Sequence, residues 1–513
     1  MSAPVRLLFG DQLGPHFTDD HDGELLLVES KQVFARKRWH RAKAHLVLSA
    51  MRHRARELGD RLDYRQAPTY GPAVRDAVRR GAEQRPLQVL HPTTYAAVRL
   101  VERLEAGEAA GLDGRGLDVE RLDARGYVNS RADFTRWAEG RGGRRLLMED
   151  FYREARRREG VLLDDGGGPA GGKWNFDHEN REPPPKGAVT LGVPEPWWPE
   201  EDEVDAEVRR DLDAWEAAGE VSFLGRDAPR IFPATREEAL TALEHFVADR
   251  LPHFGAHEDA VLEGDPWMAH SLISAPMNLG LLDPLEVVRR AEAAYVSGSA
   301  PLASVEGFVR QVMGWRDYVW HCYWHFGDDY RHRNELDARE PLPRWFAELD
   351  GSATRARCLA HTLDQVAEHG WVHHIPRLMV LGSYALQRGW HPEEVTDWFH
   401  RAFVDGYDWV MVPNVVGMSQ HADGGAMMTK PYTSGGAYLS TMTDHCGSCE
   451  LDPKVRVGDD ACPFSAGYWW FLHRHRERFG ANNRMVRAVR GLDRLKDLPD
   501  LVAQEERRGS SPP

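Results

Sequence analysis

The first 130 residues alternate short apolar runs with segments of helical spacing, and this alternation constrains the fold more than any other feature of the sequence. Apolar runs of strand length occur at residues 5–9, 24–28, 62–65, 87–90 and 117–122. Helical spacing covers residues 39–58, 73–82 and 96–110. Strands that alternate with helices predict an α/β domain with a doubly wound parallel sheet, Rossmann-like in type, over residues 1–130.

Polar residues that follow the first two strands form the predicted ligand rim of this sheet. Ligands bind at the carboxyl ends of parallel strands, which selects Gly10, Asp11 and Gln12 after the first strand and Glu29 at the end of the second. No GxGxxG motif follows the first strand. The sequence therefore disfavours a dinucleotide here, whereas a smaller planar chromophore would not need that motif. The alternative is that Gly10 and Asp11 only turn the chain.

The remaining sequence divides into a connector, a helical domain and a tail. Residues 131–230 are rich in Gly and Pro and lack periodicity, which predicts a long interdomain connection. Its arginines between positions 141 and 158 could face phosphate, although a solvated helical face is the commoner explanation. Residues 231–490 show helical patterns interrupted by prolines and predict an all-helical C-terminal domain. Residues 491–513 are predicted to form a polar, frayed tail.

Charge and hydropathy exclude several classes of protein. The net charge of -15 argues against coating nucleic acid nonspecifically, because that affinity depends on Lys and Arg contacts to phosphate. A local basic face is still compatible with this charge. No run of about 18 uncharged apolar residues is present, which excludes a membrane-spanning helix. The N-terminus lacks the basic region and cleavage site of a secretion signal, so the predicted location is the cytoplasm.

Four of the five cysteines have the spacing of a metal centre. Cys446 and Cys449 form a CxxC motif, Cys462 precedes a proline, and Cys358 lies upstream. Zinc and iron-sulfur clusters both accept four thiolates, and a proline directly after a cysteine is typical of cubane cluster ligands. The alternative is ordinary buried thiols, which is the interpretation that fits Cys322.

Motifs along nearly the whole chain show a family resemblance. The sequence resembles the photolyase and cryptochrome superfamily, and within it the prokaryotic (6-4) photolyases and iron-sulfur bacterial cryptochromes. The motifs that carry the resemblance are GDQL, SAMRHRA, GGKWNFDHENR, HSLISAPMNLGLL, RQVMGWRDYVW, HGWVHHIPRLMVLGSYAL, DWVMVPNVVGMSQHADGGAMMTKPY and the CxxC motif with its CPF partner.

The resemblance implies an antenna domain, a connector and a helical domain that binds FAD. It implies a [4Fe-4S] cluster on Cys358, Cys446, Cys449 and Cys462. It also implies a ribityllumazine-type antenna chromophore in the strand-end crevice, with Asp11, Gln12 and Glu29 on the rim.

Further residues match positions that surround FAD in the superfamily. Ser271 and Ser274 correspond to its phosphate-binding serines, while Gln311 and Arg316 correspond to residues near the adenine side. Arg377 and Asp405 match the ion pair beside the isoalloxazine ring. The residue that faces flavin N5 is Met411, which is apolar where related proteins carry Asn or an acid.

The resemblance also assigns catalytic roles, with UV-damaged DNA as the partner of a monomeric protein. His373 and His374 are the predicted proton donors, expected on one helix a turn before Arg377. Trp398 is the predicted electron-relay residue, and Tyr432 lies in an aromatic segment of the repair site. An additional Trp that is usual in this branch is replaced by Asp350.

Two functions remain open at this point. The favoured one is light-driven repair of (6-4) photoproducts by a carbon-carbon lyase. The alternative is a cryptochrome-like blue-light photoreceptor that uses the same cofactors without repair. A zinc-bearing nucleic-acid-binding protein would leave the Arg377 and Asp405 matches unexplained.

Overall fold

The computed structural model describes residues 3–80, 83–112 and 114–513 and divides the chain into two compact units. The first unit comprises Met1–Phe134, Pro196–Val247 and Ser271–Arg290, and the second comprises Thr135–Glu195, Ala248–His270 and Ala291–Pro513. The segment predicted as a connector is therefore shared between the units. No helix among the described residues is long and apolar enough to cross a membrane.

A five-stranded parallel sheet forms the core of the first unit, in the order β3-β2-β1-β6-β7. The strands of the unit are β1 (Val5–Leu8), β2 (Leu25–Ser30), β3 (Leu62–Ala67), β4 (Arg79–Arg80), β5 (Glu83–Gln84), β6 (Leu87–Leu90) and β7 (Val119–Leu122), of which β4 and β5 form a separate antiparallel pair. Every residue of β1 and β2 is buried. Strands buried on both faces read as continuous apolar runs, which is why the sequence predicted this α/β sheet correctly.

The order of the strands places a switch point at β1. Leu8 of β1 aligns with Leu27 of β2, and Leu7 aligns with Val89 of β6, both in parallel register. The chain builds the sheet first through β2 and β3 and then returns to the other side of β1. Such reversals open a crevice at the carboxyl ends of the strands.

Helices surround this sheet. The α-helices that lie wholly in the first unit are Lys31–Ala35, Arg41–Leu58, Tyr70–Val78, Tyr95–Ala106, Glu203–Ala217, Arg236–His245 and Ser274–Asn278. Arg52 on the longest of them donates to Asp211 at 2.6 Å. Asp202 begins the helix Glu203–Ala217 through a capping box with Asp205, which satisfies the first backbone N–H groups.

The second unit is almost entirely helical, as predicted. Its α-helices are Met148–Glu159, Leu251–Phe254, Leu302–Val309, Asp317–Phe326, Arg344–Ala347, Arg357–His369, Ser383–Arg388, Pro392–Ala402, Asp408–Val412, Gly436–Met442, Pro463–Arg474, Arg476–Gly480, Val486–Val489 and Leu498–Arg508. Its π-helices are Arg310–Arg316, Pro376–Gly382 and Pro413–Ser419. Three further elements run across unit boundaries in the sequence, namely the α-helices Arg131–Gly140 and Pro284–Val296 and the π-helix Phe246–Arg250.

Two segments are more ordered than their sequences indicate. Arg156 in the arginine-rich stretch is buried and donates to the carbonyls of Val161 and Leu162, so this arginine does not lie on a solvated face. In the tail, Glu505 is fully buried and pairs with Arg388 at 2.6 Å. Both charged side chains are buried, so a short ion pair is needed to offset their lost hydration. The pair fixes the helix Leu498–Arg508 to the unit.

Candidate functional site

A bidentate ion pair between Arg377 and Asp405 lies at the centre of the candidate site in the second unit. The two N–O distances are 2.8 and 3.1 Å, and the side chains are 15% and 7% exposed. Arg377 Nε donates to the Val372 carbonyl at 2.6 Å, and the guanidinium lies 4.4 Å from the centre of the Phe403 ring. Two parallel charge-assisted bonds fix both charges in one orientation.

The three π-helices of this unit carry or adjoin the residues predicted to surround the flavin. Gln311 and Arg316 lie in the first, Arg377 lies in the second, and Met411 is buried two residues before the third. A π-turn bonds residue i to i+5, and such turns occur frequently at functional sites. Hydrophobic periodicity gave no indication of these turns, because their extra residue is absorbed within an otherwise helical pattern.

Gln311 contacts an acidic residue that the sequence analysis missed. Its Nε2 donates to Glu258 Oε1 at 2.6 Å. Glu258 is only half-buried by surface area, yet protein surrounds it deeply, and this burial raises its pKa to about 8. A carboxyl group with this pKa carries a proton at neutral pH. No motif marks Glu258, which lies in an irregular segment.

His373 is stacked on a second histidine, His270. The ring centroids are 4.3 Å apart with an interplanar angle of 22°. Both ring nitrogens of His373 and Nε2 of His270 are buried without a hydrogen-bond partner. Burial, with the neighbouring charges of His270, His374 and Arg377, lowers the pKa of His373 well below 6.5. His373 is therefore a neutral imidazole in the ligand-free protein.

His374 differs from its neighbour in its access to solvent. The helical turn begins at His374, so His373 precedes it, and the prediction that both residues lie on one helix was wrong. His374 is solvent-exposed by surface area although the surrounding protein lowers its pKa. The His374 side chain therefore keeps contact with solvent. Water at the ring favours the charged form and offsets part of this lowering, so His374 takes up a proton more readily than His373.

The other predicted residues of this unit have different environments. The Arg316 guanidinium lies 5.2 Å from the Trp409 ring centre. Tyr432 is half-buried, and burial raises its pKa. Trp398 is completely buried on the helix Pro392–Ala402, 5.9 Å from Phe403. Phe403 thus neighbours both the Trp398 indole and the guanidinium of the ion pair.

Four cysteines line one small cavity elsewhere in this unit. Cys358 and Cys462 are buried, and Cys446 and Cys449 are partly exposed. The residues that line the cavity are Ala356, Cys358, Leu439, His445, Cys446, Cys449, Leu451, Cys462, Pro463 and Phe464. Burial and the proximity of the other three thiols raise the pKa of Cys358 well above its ordinary value. Cys322 is buried outside this cavity and interacts with Tyr318.

The spacing of these sulfurs distinguishes kinds of metal centre. Among the described residues, the one set of three potential ligand atoms within 4.8 Å of one another is His53, Asp202 and Asp205, so no three of the four cysteine sulfurs approach that closely. A single ion with four Zn–S bonds of about 2.3 Å would draw the sulfurs to within about 3.8 Å of one another. Asp202 and Asp205, for their part, cap a helix, and Asp205 pairs with Arg230 at 2.9 Å.

At the crevice of the first unit, Asp11 accepts a hydrogen bond from the Thr93 hydroxyl, which joins the ends of β1 and β6. Asp11 is half-buried by surface area, and its deep position raises its pKa. Gln12 Oε1 instead accepts from the Phe9 N–H at 3.2 Å and closes the turn. Glu29 is buried and pairs with Arg52 at 2.8 Å. Of the three rim residues, Asp11 alone keeps access to the crevice.

Ser271 and Ser274 belong to the first unit. Both are partly exposed, and Ser274 is the first residue of the short helix Ser274–Asn278. Ser274 has interactions within the protein. Their predicted role in holding a flavin pyrophosphate stays a prediction.

Known proteins share both the sequence and the architecture of this chain. It is 38% identical over 510 residues to a (6-4) photolyase from Agrobacterium fabrum, covering 96% of each protein. The chain belongs to the (6-4) photolyase family. A family model described as deoxyribodipyrimidine photo-lyase-related protein matches residues 6–221 of this chain. An uncharacterized protein of Acanthamoeba polyphaga mimivirus is 43% identical over 53 residues, 10% of this chain and 43% of the viral protein.

A solved structure has the same fold as this chain. A crystal structure of a bacterial class III photolyase from Agrobacterium tumefaciens matches with a TM-score of 0.58 and 15% sequence identity. The match covers 99% of this chain and 96% of the other. The sheet of the first unit and the helices of the second are therefore the photolyase architecture.

The helical unit of this photolyase fits a flavin by the chemistry of its side chains. The Arg377 and Asp405 pair is fixed and partly accessible. Beside it lie imidazole nitrogens of His373 that are buried without a protein partner. Buried polar atoms normally have hydrogen-bond partners, so their absence here marks a surface prepared for a bound group.

Proposed function

We propose that the protein is a light-driven photolyase that repairs pyrimidine (6-4) photoproducts in UV-damaged DNA. Near full-length identity to a (6-4) photolyase supports this assignment. The observation that carries it is that His374 is exposed to solvent while His373 is buried, and that both lie near the Arg377 and Asp405 pair. The reaction needs an electron donor and a proton donor at one place.

FAD is the cofactor that family membership implies, and when bound, reduced and excited by light it supplies one electron to the lesion. Arg377 and Asp405 would hold the isoalloxazine side, with Met411 as the apolar neighbour of N5. Gln311 and Arg316 lie on the π-helix Arg310–Arg316 and would contact the adenine side. A fixed cation and carboxylate determine which charge state of a bound ring system is favoured.

The two histidines divide the proton chemistry between them. His374 is open to solvent, and its pKa is lowered to about 4 by the surrounding protein and Arg377. Uptake of a proton as negative charge develops on the lesion would make it the acid that protonates the hydroxyl as it returns to its original base. His373 is neutral, and its two free nitrogens can donate one hydrogen bond and accept another, which orients the lesion. Negative charge on the lesion after electron transfer would favour the protonated form of His374.

A [4Fe-4S] cluster on Cys358, Cys446, Cys449 and Cys462 accounts for the sulfur spacing better than zinc. The sulfurs stand wider than one tetrahedral ion requires, whereas a cubane cluster separates its cysteine ligands. Buried thiols that repel one another as thiolates need a cationic centre to offset that repulsion. Such a cluster would be held by Cys358 in the first turn of the helix Arg357–His369 and by Cys462 at the start of the helix Pro463–Arg474.

The crevice of the first unit would hold the antenna chromophore, a ribityllumazine-type ring. Tyr70 and Phe9 lie 6.0 Å apart beside Asp11, so the crevice offers aromatic surface and one carboxyl group. An apolar wall with one directional polar group suits a planar heterocycle.

Repair of defined lesions tests the proposed function. The purified protein with reduced FAD is mixed with an oligonucleotide that carries one (6-4) photoproduct, and with a matched oligonucleotide that carries one cyclobutane dimer. Both are illuminated with blue light, and dark samples serve as controls. We expect light-dependent restoration of the (6-4) lesion only. Restoration of neither lesion would replace this proposal with a photoreceptor, and restoration of the cyclobutane dimer alone would change the substrate.

A further inference from the structure

Two histidines, His361 and His445, form a hydrogen-bonded pair beside the cavity that the four cysteines line. His445 Nε2 and His361 Nδ1 are 3.1 Å apart. His445 directly precedes Cys446, and His361 lies one turn after Cys358 on the helix Arg357–His369. The pair therefore joins two of the segments that carry the proposed cluster ligands.

His445 has one ring nitrogen available to a group bound in that cavity. The residue is 1% exposed and is one of those that line the cavity. His361 occupies its Nε2, while its Nδ1 is buried and has no hydrogen-bond partner. Apart from His445 and the cysteines, every residue that lines the cavity is apolar. Because buried polar atoms normally have partners, a group bound in the cavity is the partner that Nδ1 lacks.

The hydrogen bonds around the pair determine which nitrogen of His445 carries a proton. Gln365 lies one turn after His361, and its side-chain Nε2 is 3.5 Å from His361 Nε2. An amide NH₂ group can only donate, so His361 Nε2 accepts and the proton of that ring is on Nδ1. His361 Nδ1 then donates to His445 Nε2, which leaves the proton of His445 on Nδ1. The three side chains thus give the cavity an N–H group and not a lone pair.

Glu263 holds the two segments of the pair in place. The Arg357 Nε donates to the Glu263 carboxylate at 2.7 Å, and the Glu263 backbone N–H donates to Asp444 Oδ1 at 2.9 Å. Arg357 directly precedes Cys358, and Asp444 directly precedes His445. Outer hydrogen bonds of this kind orient the groups that contact a metal centre. The separation of the two histidines is therefore fixed by the protein itself.

We infer that His445 donates a hydrogen bond to a sulfur atom of the [4Fe-4S] cluster, and that His361 and Gln365 position it for this contact. This inference rests on the proposed function, because it needs the cluster on the four cysteines. A sulfur of this cavity already accepts one such bond, since the Leu451 N–H donates to Cys449 Sγ at 3.5 Å. Hydrogen bonds to cluster sulfurs stabilise the more negative, reduced form, so His445 raises the reduction potential of the cluster.

A direct bond from His445 to iron is the competing arrangement. It needs a lone pair on Nδ1, and so it needs the reverse direction of both hydrogen bonds. The Gln365 amide does not allow that reversal, because its nitrogen cannot accept a hydrogen bond from His361. Four thiolates also already complete the ligand set of a cubane cluster. His445 is therefore a contact to sulfur and not a fifth protein ligand.

Two variants of nearly equal shape test the contact on the cluster-loaded protein. His445→Asn keeps an N–H donor close to the position of Nδ1, whereas His445→Leu has no donor. The matched control is His321→Leu, because His321 is also buried in the helical unit but does not line the cavity. Redox titration with detection by electron paramagnetic resonance gives the midpoint potential of each protein.

We expect the potential to fall in His445→Leu, because the reduced cluster loses its donor. The expected change is about tenfold in the ratio of reduced to oxidised cluster at a fixed potential, which is about 59 mV for a one-electron couple. His445→Asn should restore most of this difference, and His321→Leu should match the wild type. Equal potentials in the wild type and His445→Leu would overturn the inference.

A second measurement uses the wild-type protein and does not depend on whether a variant folds. The protein is labelled with ¹⁵N-histidine, the cluster is reduced with dithionite, and pulsed electron paramagnetic resonance records the coupling of nitrogen to the unpaired spin. We expect one weakly coupled histidine nitrogen, because a hydrogen bond transfers little spin density. Absence of any coupling would overturn the inference. A strong coupling, as from a nitrogen bound to iron, would overturn it in favour of ligation.

Iron and sulfide analysis separates failure of this inference from failure of the proposed function. A wild type that holds iron and sulfide but shows no effect of His445 would keep the cluster and lose the hydrogen bond. A wild type without iron and sulfide would contradict both. Absence of (6-4) repair in a protein that shows the expected potentials and nitrogen coupling would contradict the proposed repair function alone.

Discussion

At the residue scale, the candidate site combines groups whose charge is fixed with groups whose charge can change. Arg377 and Asp405 are joined by two hydrogen bonds that fix their orientation. Glu258, with a pKa raised to about 8, and His373, with a pKa lowered by burial, are both neutral near pH 7. Titratable groups whose pKa values are shifted in opposite directions within one unit are characteristic of sites that transfer protons.

Asp405→Asn should destabilise the protein and weaken its hold on flavin. The change leaves the Arg377 guanidinium without its counter-charge in a largely buried place, which costs about 3 kcal/mol in the free energy of unfolding. Denaturant titration and the ratio of bound flavin to protein measure the two effects. The matched control is Asp337→Asn, since Asp337 and Arg339 form an exposed pair at 2.6 Å that contributes less than about 1 kcal/mol. Equal losses in both variants would show that the Arg377 pair is not a special site.

His374→Ala should abolish (6-4) repair while it leaves flavin content and photoreduction unchanged. Electron transfer does not need the imidazole, whereas return of the hydroxyl needs an acid within hydrogen-bond reach. Repair yield per absorbed photon and bound flavin are the measurements. His373→Gln, which keeps a hydrogen-bonding side chain, should reduce repair less than His374→Ala. Wild-type repair by His374→Ala would show that another acid performs the step.

At the element scale, apolar patterning predicted the parallel sheet and its helices. The segment 131–230, predicted as a connection without periodicity, instead contains the helices Arg131–Gly140, Met148–Glu159 and Glu203–Ala217. The predicted run 87–90 coincides with β6, and the segment 39–58 matches the helix Arg41–Leu58. Buried parallel strands and long amphipathic helices have strong patterns, because burial selects their side chains. The π-helices and the stacking of His270 on His373 leave no such pattern. The first depends on hydrogen-bond register, and the second joins residues 103 positions apart in the chain.

The sequence indicated only those candidate-site residues that lie in recognisable motifs. Arg377 pairs with Asp405, and the four cysteines line one cavity elsewhere in the unit, while their roles toward a flavin and a cluster stay predictions. Glu258 and His270 were missed, since neither lies in a pattern that periodicity or cysteine spacing reveals. Gln12 and Glu29 were selected by strand position alone, and position does not show that Phe9 and Arg52 already occupy their oxygens.

Replacement of each cysteine by serine should separate the cluster ligands from the remaining thiol. Each of the variants Cys358→Ser, Cys446→Ser, Cys449→Ser and Cys462→Ser should lose iron and acid-labile sulfide, because each would remove one thiolate ligand of the proposed cluster. Cys322→Ser is the matched control and should retain both. Metal analysis of the purified variants is the measurement. Zinc without sulfide in the wild type would contradict the cluster.

At the scale of the whole molecule, buried histidines make stability depend on pH. Burial lowers the pKa of His45, His373 and His421, the last to about 4, below the value of about 6.5 in an unfolded chain. Between these values the unfolded chain binds more protons than the folded one. Stability is therefore fully present above about pH 6.5 and falls as the pH decreases. The carboxyl groups whose pKa is raised by burial oppose this trend, and they are Asp11, Glu258, Asp259 and Glu306.

The free energy of unfolding should be lower at pH 5 than at pH 7. Each strongly shifted histidine contributes up to about 1.4 kcal/mol per pH unit in this window. Denaturant titrations at several pH values measure the slope, and His421→Asn should flatten it. Asn suits this position because His421 has a positive φ of 47°, which Asn tolerates better than most residues. An unchanged slope in His421→Asn would assign the pH dependence to other groups.

The three π-helices have a consequence for comparing this chain with its relatives. A π-turn holds one residue more than the α-turn it replaces, so in an alignment it behaves as a single-residue insertion inside a helix. Removing one residue from the segment Pro376–Gly382 would restore an α-turn and change which side chains point from that turn, while the residues beyond it would keep their faces. A relative that lacks the insertion would point a different residue where Arg377 now points. Gap placement within these helices thus decides which residues of two family members are equivalent.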